Sequence, residues 1–236
     1  MDTRTLLYLT IKISLVVQIL TGFIDVYALT FNYRGDLLLI KGLIVIELIV
    51  QFIEIIFYSW FYNGFNEIKN ATPKRYYDWV ITTPSMLFIL IVYLDYLRNN
   101  SKVPELNGDE NSTYDYIMFS YEKNKHNFWI ILILNFFMLV FGYLGEINII
   151  SKLSAFMFGF LFFALYFYYI YEKYAKYTNF GILMITLFAS IWALYGFASL
   201  LSYNWKNISY NLLDIVSKNF FGLFLAYIGI KNADSF

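Results

Sequence analysis

Seven apolar runs, each about 20 residues or longer, divide this 236-residue chain. A bilayer's hydrocarbon core is ~30 Å thick, and a helix needs about 20 residues to cross it. Inside that core every backbone amide must bond within its own segment, so runs of this length are predicted to be helices. Cut at the polar punctuation, they fall at about 4–31, 37–62, 73–98, 127–145, 149–172, 177–203 and 207–231. Asn32 to Asp36, Asn63-Gly64 and Gly145 mark ends, and Pro73 marks a start. The spans leave no room for a separate soluble domain. The expected fold is an all-α membrane protein, a single seven-transmembrane helix bundle over 1–236.

Composition agrees with the runs. Only 14% of residues are charged, against about a quarter in a soluble domain, and mean hydropathy is +0.57. Seventeen basic residues balance seventeen acidic ones, which excludes a strongly basic nucleic-acid binder. There is no cysteine and one histidine, His126, so thiol, metal and serine–histidine chemistry is poorly supplied, and no enzyme is expected. Asp2 and Arg4 lead into the first run without a small-residue cleavage site, so this run is expected to be the first span.

An odd number of spans separates the termini. Nine Lys and Arg fall on the side of the C-terminus and six on the other. The positive-inside rule then predicts N-terminus outside and C-terminus inside. The connection at 99–126 is cytoplasmic on this reading. Its first half carries Pro104 and Gly108. Its second half sets Tyr114, Ile117, Met118 and Tyr121 at helical spacing, which suits an amphipathic surface helix or a tethered loop equally. No internal repeat is visible, against an inverted-repeat transporter.

Ionisable residues at membrane depth usually mark function. Asp214 and Lys218 lie four apart, on one face midway along the last run. A lysine so deep is paired, neutral or covalently used, and its amine can condense with an aldehyde. In the third run Arg75, Asp78 and Thr82 share a face. A charged nitrogen at Lys218, with Arg75, Asp78 and Asp214, sums to zero, as a dry interior requires. Thr82 is within one turn of Asp78, near enough to bond its carboxylate.

Arg75-Tyr-Tyr-Asp78-Trp79-Val-Ile-Thr82-Thr83-Pro84 resembles the third helix of microbial retinal proteins such as bacteriorhodopsin and proteorhodopsin. Asp214-x-x-x-Lys218, Met138-x-x-x-Gly142 and Trp192-x-x-Tyr195 are similar to later helices of the same family, in the same order. The resemblance implies all-trans-retinal held as a Schiff base on Lys218. It makes Asp78 the primary counterion and proton acceptor, and Asp214 the second counterion. It places Trp79, Thr83, Met138, Gly142, Phe156, Gly159, Phe163, Trp192 and Tyr195 along the polyene and ring.

Two departures weigh against an efficient outward proton pump. The family's cytoplasmic donor carboxylate corresponds to Ile89, and its release glutamate to Lys206. Asp95 lies further along, expected at the membrane surface, and Glu146 is expected to be solvated. A polar seam appears elsewhere. Glu47, Gln51, Glu54 and Tyr58 share one face of the second run. Ser14, Gln18, Thr21 and Asp25 share a face of the first, and Asn207, Asn211 and Ser217 lie on the last. Such groups can line a wet path favouring cations, or close on each other as packing networks. With the connection at 99–126, they resemble the channel group of viral rhodopsins of large algal viruses. The expected function is a light-gated cation channel passing monovalent cations or protons. An outward proton pump, a photosensor and an unrelated seven-span protein are the alternatives. The partners are retinal and the lipid bilayer, with a homo-oligomer open and no nucleic acid.

Overall fold

The computed structural model describes residues 2–103, 106 and 111–233. Seven long helices run through them: α1 Thr3–Ala28, α2 Leu37–Asn63, α3 Thr72–Arg98, α4 Thr113–Glu146, α5 Lys152–Lys173, α6 Asn179–Ser199 and α7 Tyr203–Asn232. No strand occurs among the described residues. Six of the helices are long and apolar enough to cross a membrane; α2, with Lys41, Glu47 and Glu54, is the seventh. The chain is an integral, multi-pass membrane protein.

Local chemistry sets the starts. Asp2 caps α1, accepting from the Thr5 amide at 2.6 Å, and that bond holds its carboxyl below the usual range. Ser112 and Asp115 form a reciprocal capping box on α4. Ser151 and Thr178 cap α5 and α6. Pro73 sits in the first turn of α3. Pro84 lies inside that helix and lacks an amide to donate. Around it the Thr82, Thr83 and Ser85 hydroxyls each bond the carbonyl four residues back, at 3.1, 2.7 and 3.0 Å.

Helix α3 is central. In its most apolar stretch 72% of residues are buried, against 22% in α4 and α5. Met86 to Leu94 are buried without interruption and pack with Ile40, Leu43, Ile44, Tyr166, Phe221 and Leu225. Large apolar side chains such as Phe23, Phe52 and Phe220 point outward, as lipid-facing surfaces require.

Two boundaries differ from the sequence reading. Helix α4 begins at Thr113, not near 127, so Tyr114 to Tyr121 are its first turns rather than a separate surface helix. Ile117 packs over Gly42 of α2, where a Cβ would stand 2.7 Å from Ile117 Cδ1. His126 is therefore inside the helix, not at its start. Pro104 and Gly108 lie outside the described residues. The second difference is in α7, where Ile215–Asn219 forms a π turn. Such turns insert one residue into the helical ladder and re-aim the side chains they carry.

Candidate functional site

The π turn carries Ser217 and Lys218, both buried. Lys218 Nζ faces three carboxylates. Asp78 Oδ2 of α3 and Asp214 Oδ1 of α7 each stand at 3.3 Å, and Glu54 Oε1 of α2 bonds it directly. Spacing alone placed Glu54 only in the seam; the packing of α2 against α7 brings it to the lysine.

Arg75 is fully buried. Of the two aspartates in the expected charge cluster it bonds Asp214, at Oδ2 and 3.1 Å. Its Nε donates to Asn207 at 3.1 Å, its Nη1 to Tyr58 at 3.4 Å and its Nη2 to Asn211. Asp214 also accepts from Tyr58 at 2.5 Å and from Tyr195 at 2.8 Å. Thr82 departs from expectation. Its hydroxyl donates to the backbone carbonyl of Asp78, and Asp78 Oδ1 accepts from no described group. Two bases and three acids meet here, so neutrality needs one shared proton beyond the four-charge balance of Arg75, Lys218, Asp78 and Asp214.

From Lys218 a mostly apolar cavity runs between α3, α4, α5 and α6. Trp79, Thr83, Met138, Gly142, Phe156, Gly159, Phe163, Trp192 and Tyr195 all line it. Trp79 meets Tyr195 edge to face at 5.7 Å, and Phe167 supports Trp192 at 5.9 Å. Gly142 admits Tyr76, whose hydroxyl would lie 2.7 Å from a Cβ there. An amine at the end of an aromatic slot, surrounded by carboxylates that stabilise its cation, fits an apolar aldehyde bound through nitrogen.

Some contributors escaped the sequence reading. Asn135, a lone polar residue in the apolar run of α4, donates to Thr83 Oγ1 at 2.9 Å and ties α4 to α3. Glu146 is not solvated: it pairs with Lys206 at 2.6 Å, both side chains being under 10% exposed. Asp95 is buried rather than at the surface, bridged to Arg98 at 3.2 Å and Lys123 at 3.1 Å. Lys12 points outward as a snorkelling residue would, with its ammonium 4.6 Å from the Tyr8 ring centre.

The seam residues are all buried: Ser14, Gln18, Asp25, Glu47, Gln51, Glu54, Asn207 and Asn211. Those near Arg75 form a closed network. Asn211 donates to Thr10 Oγ1 at 2.9 Å, Ser14 to the Asn211 carbonyl at 3.1 Å, and Asn207 to Thr72 Oγ1 at 3.1 Å. Toward the C-terminal end the pattern changes. Gln51 donates to Glu47 at 3.3 Å, but both amide atoms of Gln18, both oxygens of Asp25, Glu47 Oε2 and Gln51 Oε1 meet no described partner. Ile89 of α3, at the family's donor position, is fully buried in the apolar core and joins none of this.

A family profile described as bacteriorhodopsin-like protein matches residues 9–232. Among solved structures, viral rhodopsin OLPVRII is similar with a TM-score of 0.81 and 26% identity, over 96% of this chain and 98% of that one. A blue light-absorbing proteorhodopsin from Med12 is similar at TM-score 0.70 and 17% identity, covering 96% of this chain and 97% of the other. Xanthorhodopsin, a light-driven ion pump with dual chromophore, is similar at TM-score 0.73 and 13% identity, covering 98% and 95%. No curated protein matches.

Proposed function

The chain belongs to the bacteriorhodopsin-like family, and from that premise we propose that it is a retinal-binding, light-gated cation channel with its N-terminus outside and C-terminus inside. Lys218 holds all-trans-retinal through its nitrogen, in the slot lined by Trp79, Trp192 and their neighbours. When bound, retinal supplies light absorption and an isomerisation that moves the proton-bearing nitrogen. Asp78 is the acceptor for that proton. Its carboxylate is 3.3 Å from Lys218 Nζ, and its Oδ1 accepts from no described group. Asp214 is held as an anion by Arg75, Tyr58 and Tyr195 and steadies the positive charge.

One observation carries the channel reading. Buried acids and amides of α1, α2 and α7 include Asn211, Glu54, Gln51, Glu47 and Asp25, with Glu47, Gln51 and Glu54 on one face of α2. Loss of positive charge at Lys218 releases Glu54 from its ion pair. That loosens α2 against α7, where the polar file runs. Water and cations can then enter a path whose fixed charge is negative.

A light-driven outward proton pump is the second reading, favoured by the placing of Asp78 beside Lys218. Whole-cell voltage clamp under light flashes, in cells supplied with retinal, separates the two. A channel gives a current that reverses with the cation gradient, and Glu54→Gln reduces it severalfold or changes its selectivity. A current of fixed direction against the gradient would establish the pump instead. Lys218→Ala is expected to abolish both the visible absorption band and the current.

A further inference from the structure

Asn219 follows Lys218 in the chain, is 2% exposed and has no part in the light-driven scheme above. It is the last residue of the π turn Ile215–Asn219. Its side-chain Nδ2 donates to the Ile215 carbonyl at 3.2 Å and, at the long limit of a hydrogen bond, to the Asp214 carbonyl at 3.5 Å. Its Oδ1 is buried and accepts from no described group. Position 219 therefore uses its donor and leaves its acceptor idle.

A bond to the carbonyl four residues back does not by itself mark this residue. Asn99, Asn124, Asn207 and Asn232 make the same bond, at 2.8, 3.0, 3.0 and 2.8 Å. Among the described asparagines only Asn219 also reaches the carbonyl five residues back, which is the acceptor register of a π turn. Such turns are rare inside α-helices, so one that persists needs local support. Helix α3 shows the same device around Pro84, where the Thr82, Thr83 and Ser85 hydroxyls bond backbone carbonyls.

The turn decides where Lys218 points. One residue is about 100° of helix rotation, so loss of the inserted residue would turn the two halves of α7 against each other by that order. Different partners fix those halves. Asp214 is held by Arg75 at 3.1 Å, and Phe221 meets Phe188 edge to face at 4.8 Å. Lys218 lies between them, with Nζ 3.3 Å from both Asp78 and Asp214 and bonded to Glu54. We propose that Asn219 is a positioning residue: its side-chain N–H groups pin the π turn and so hold the Lys218 nitrogen among the three carboxylates. Its effect on bound retinal rests on the reading of Lys218 as the retinal-bearing residue; the pinning of the turn does not.

The test compares Asn219→Val with Asn219→Thr, which have the same shape and differ in one hydroxyl donor. Asn219→Ala against Asn219→Ser is a second pair, in case the larger side chains prevent folding. Hydrogen exchange of the full-length protein without retinal reads the turn directly. Amides of 215–220 should exchange about fivefold faster in the Val and Ala variants, the scale of one lost net hydrogen bond. In the Thr and Ser variants they should stay near native. With retinal loaded, the donor-free variants should shift the visible band to longer wavelength, because the carboxylates then stabilise the nitrogen's positive charge less. The Thr and Ser variants should hold the native band. Leu225→Ala, a cavity in the core further along α7, controls for general loosening: it should lower the unfolding temperature and leave the band in place. If the members of each pair behave alike, or if Leu225→Ala moves the band as far as Asn219→Val, the positioning role is overturned. A native protein that takes up no retinal would instead refute the reading of Lys218, while hydrogen exchange still decides the pinning.

Discussion

The two ends of the polar seam use the same residue types and differ in how far they satisfy each other. Around Arg75 the guanidinium, Asn207, Asn211, Tyr58 and Asp214 exchange bonds until almost every donor has an acceptor. Around Asp25 and Glu47 most buried oxygens accept from no described group, and neither amide atom of Gln18 bonds anything described. The cause is the presence of Arg75 at one end and, among the described residues, no base ion-paired with Asp25 or Glu47 at the other. Five donors on one rigid fork can organise several oxygens. The closed end holds a geometry; the open end needs a proton or water, and so is the end that can change state.

That difference can be broken by experiment. The largest effect is expected from Arg75→Gln, which takes from buried Asp214 one of its two ion partners and leaves three carboxylates facing the single charge of Lys218. The cost should be about 3–5 kcal/mol, read as a large drop in thermal unfolding temperature in detergent. Asn211→Leu strands Arg75 and Thr10 and should cost about 1–3 kcal/mol. Gln18→Leu removes two polar atoms that bond nothing described, and is expected to lie within about 1 kcal/mol of native or to stabilise. If Gln18→Leu cost as much as Asn211→Leu, the contrast between the two ends would collapse.

Much of the bundle is legible in the residues. Apolar length marks the spans because lipid leaves the backbone no alternative to helix. Ser112 with Asp115 signals a helix start at 113, but the polar character of 114–126 masks it. Helix propensity and caps continue a helix past the membrane where hydropathy stops. The slot residues are legible as motifs, and the structure gathers all of them around one cavity with Lys218. Asn135 had a signal, a single amide in an apolar run, but its partner Thr83 lies on another helix.

The approach of Asp214 to Lys218 follows from spacing within one helix, because residues four apart on one helix meet whatever surrounds them. Which acid meets which base across helices does not follow. Arg75 shares a face with Asp78 yet binds Asp214, Glu54 reaches Lys218, and Glu146 finds Lys206 across 60 residues. Those pairings are set by helix packing and by the π turn that re-aims Lys218, and both depend on side-chain volumes contributed by every helix at once. A one-dimensional pattern carries the inventory of charges, while the distances between them, which decide their energies, arise only when the helices close.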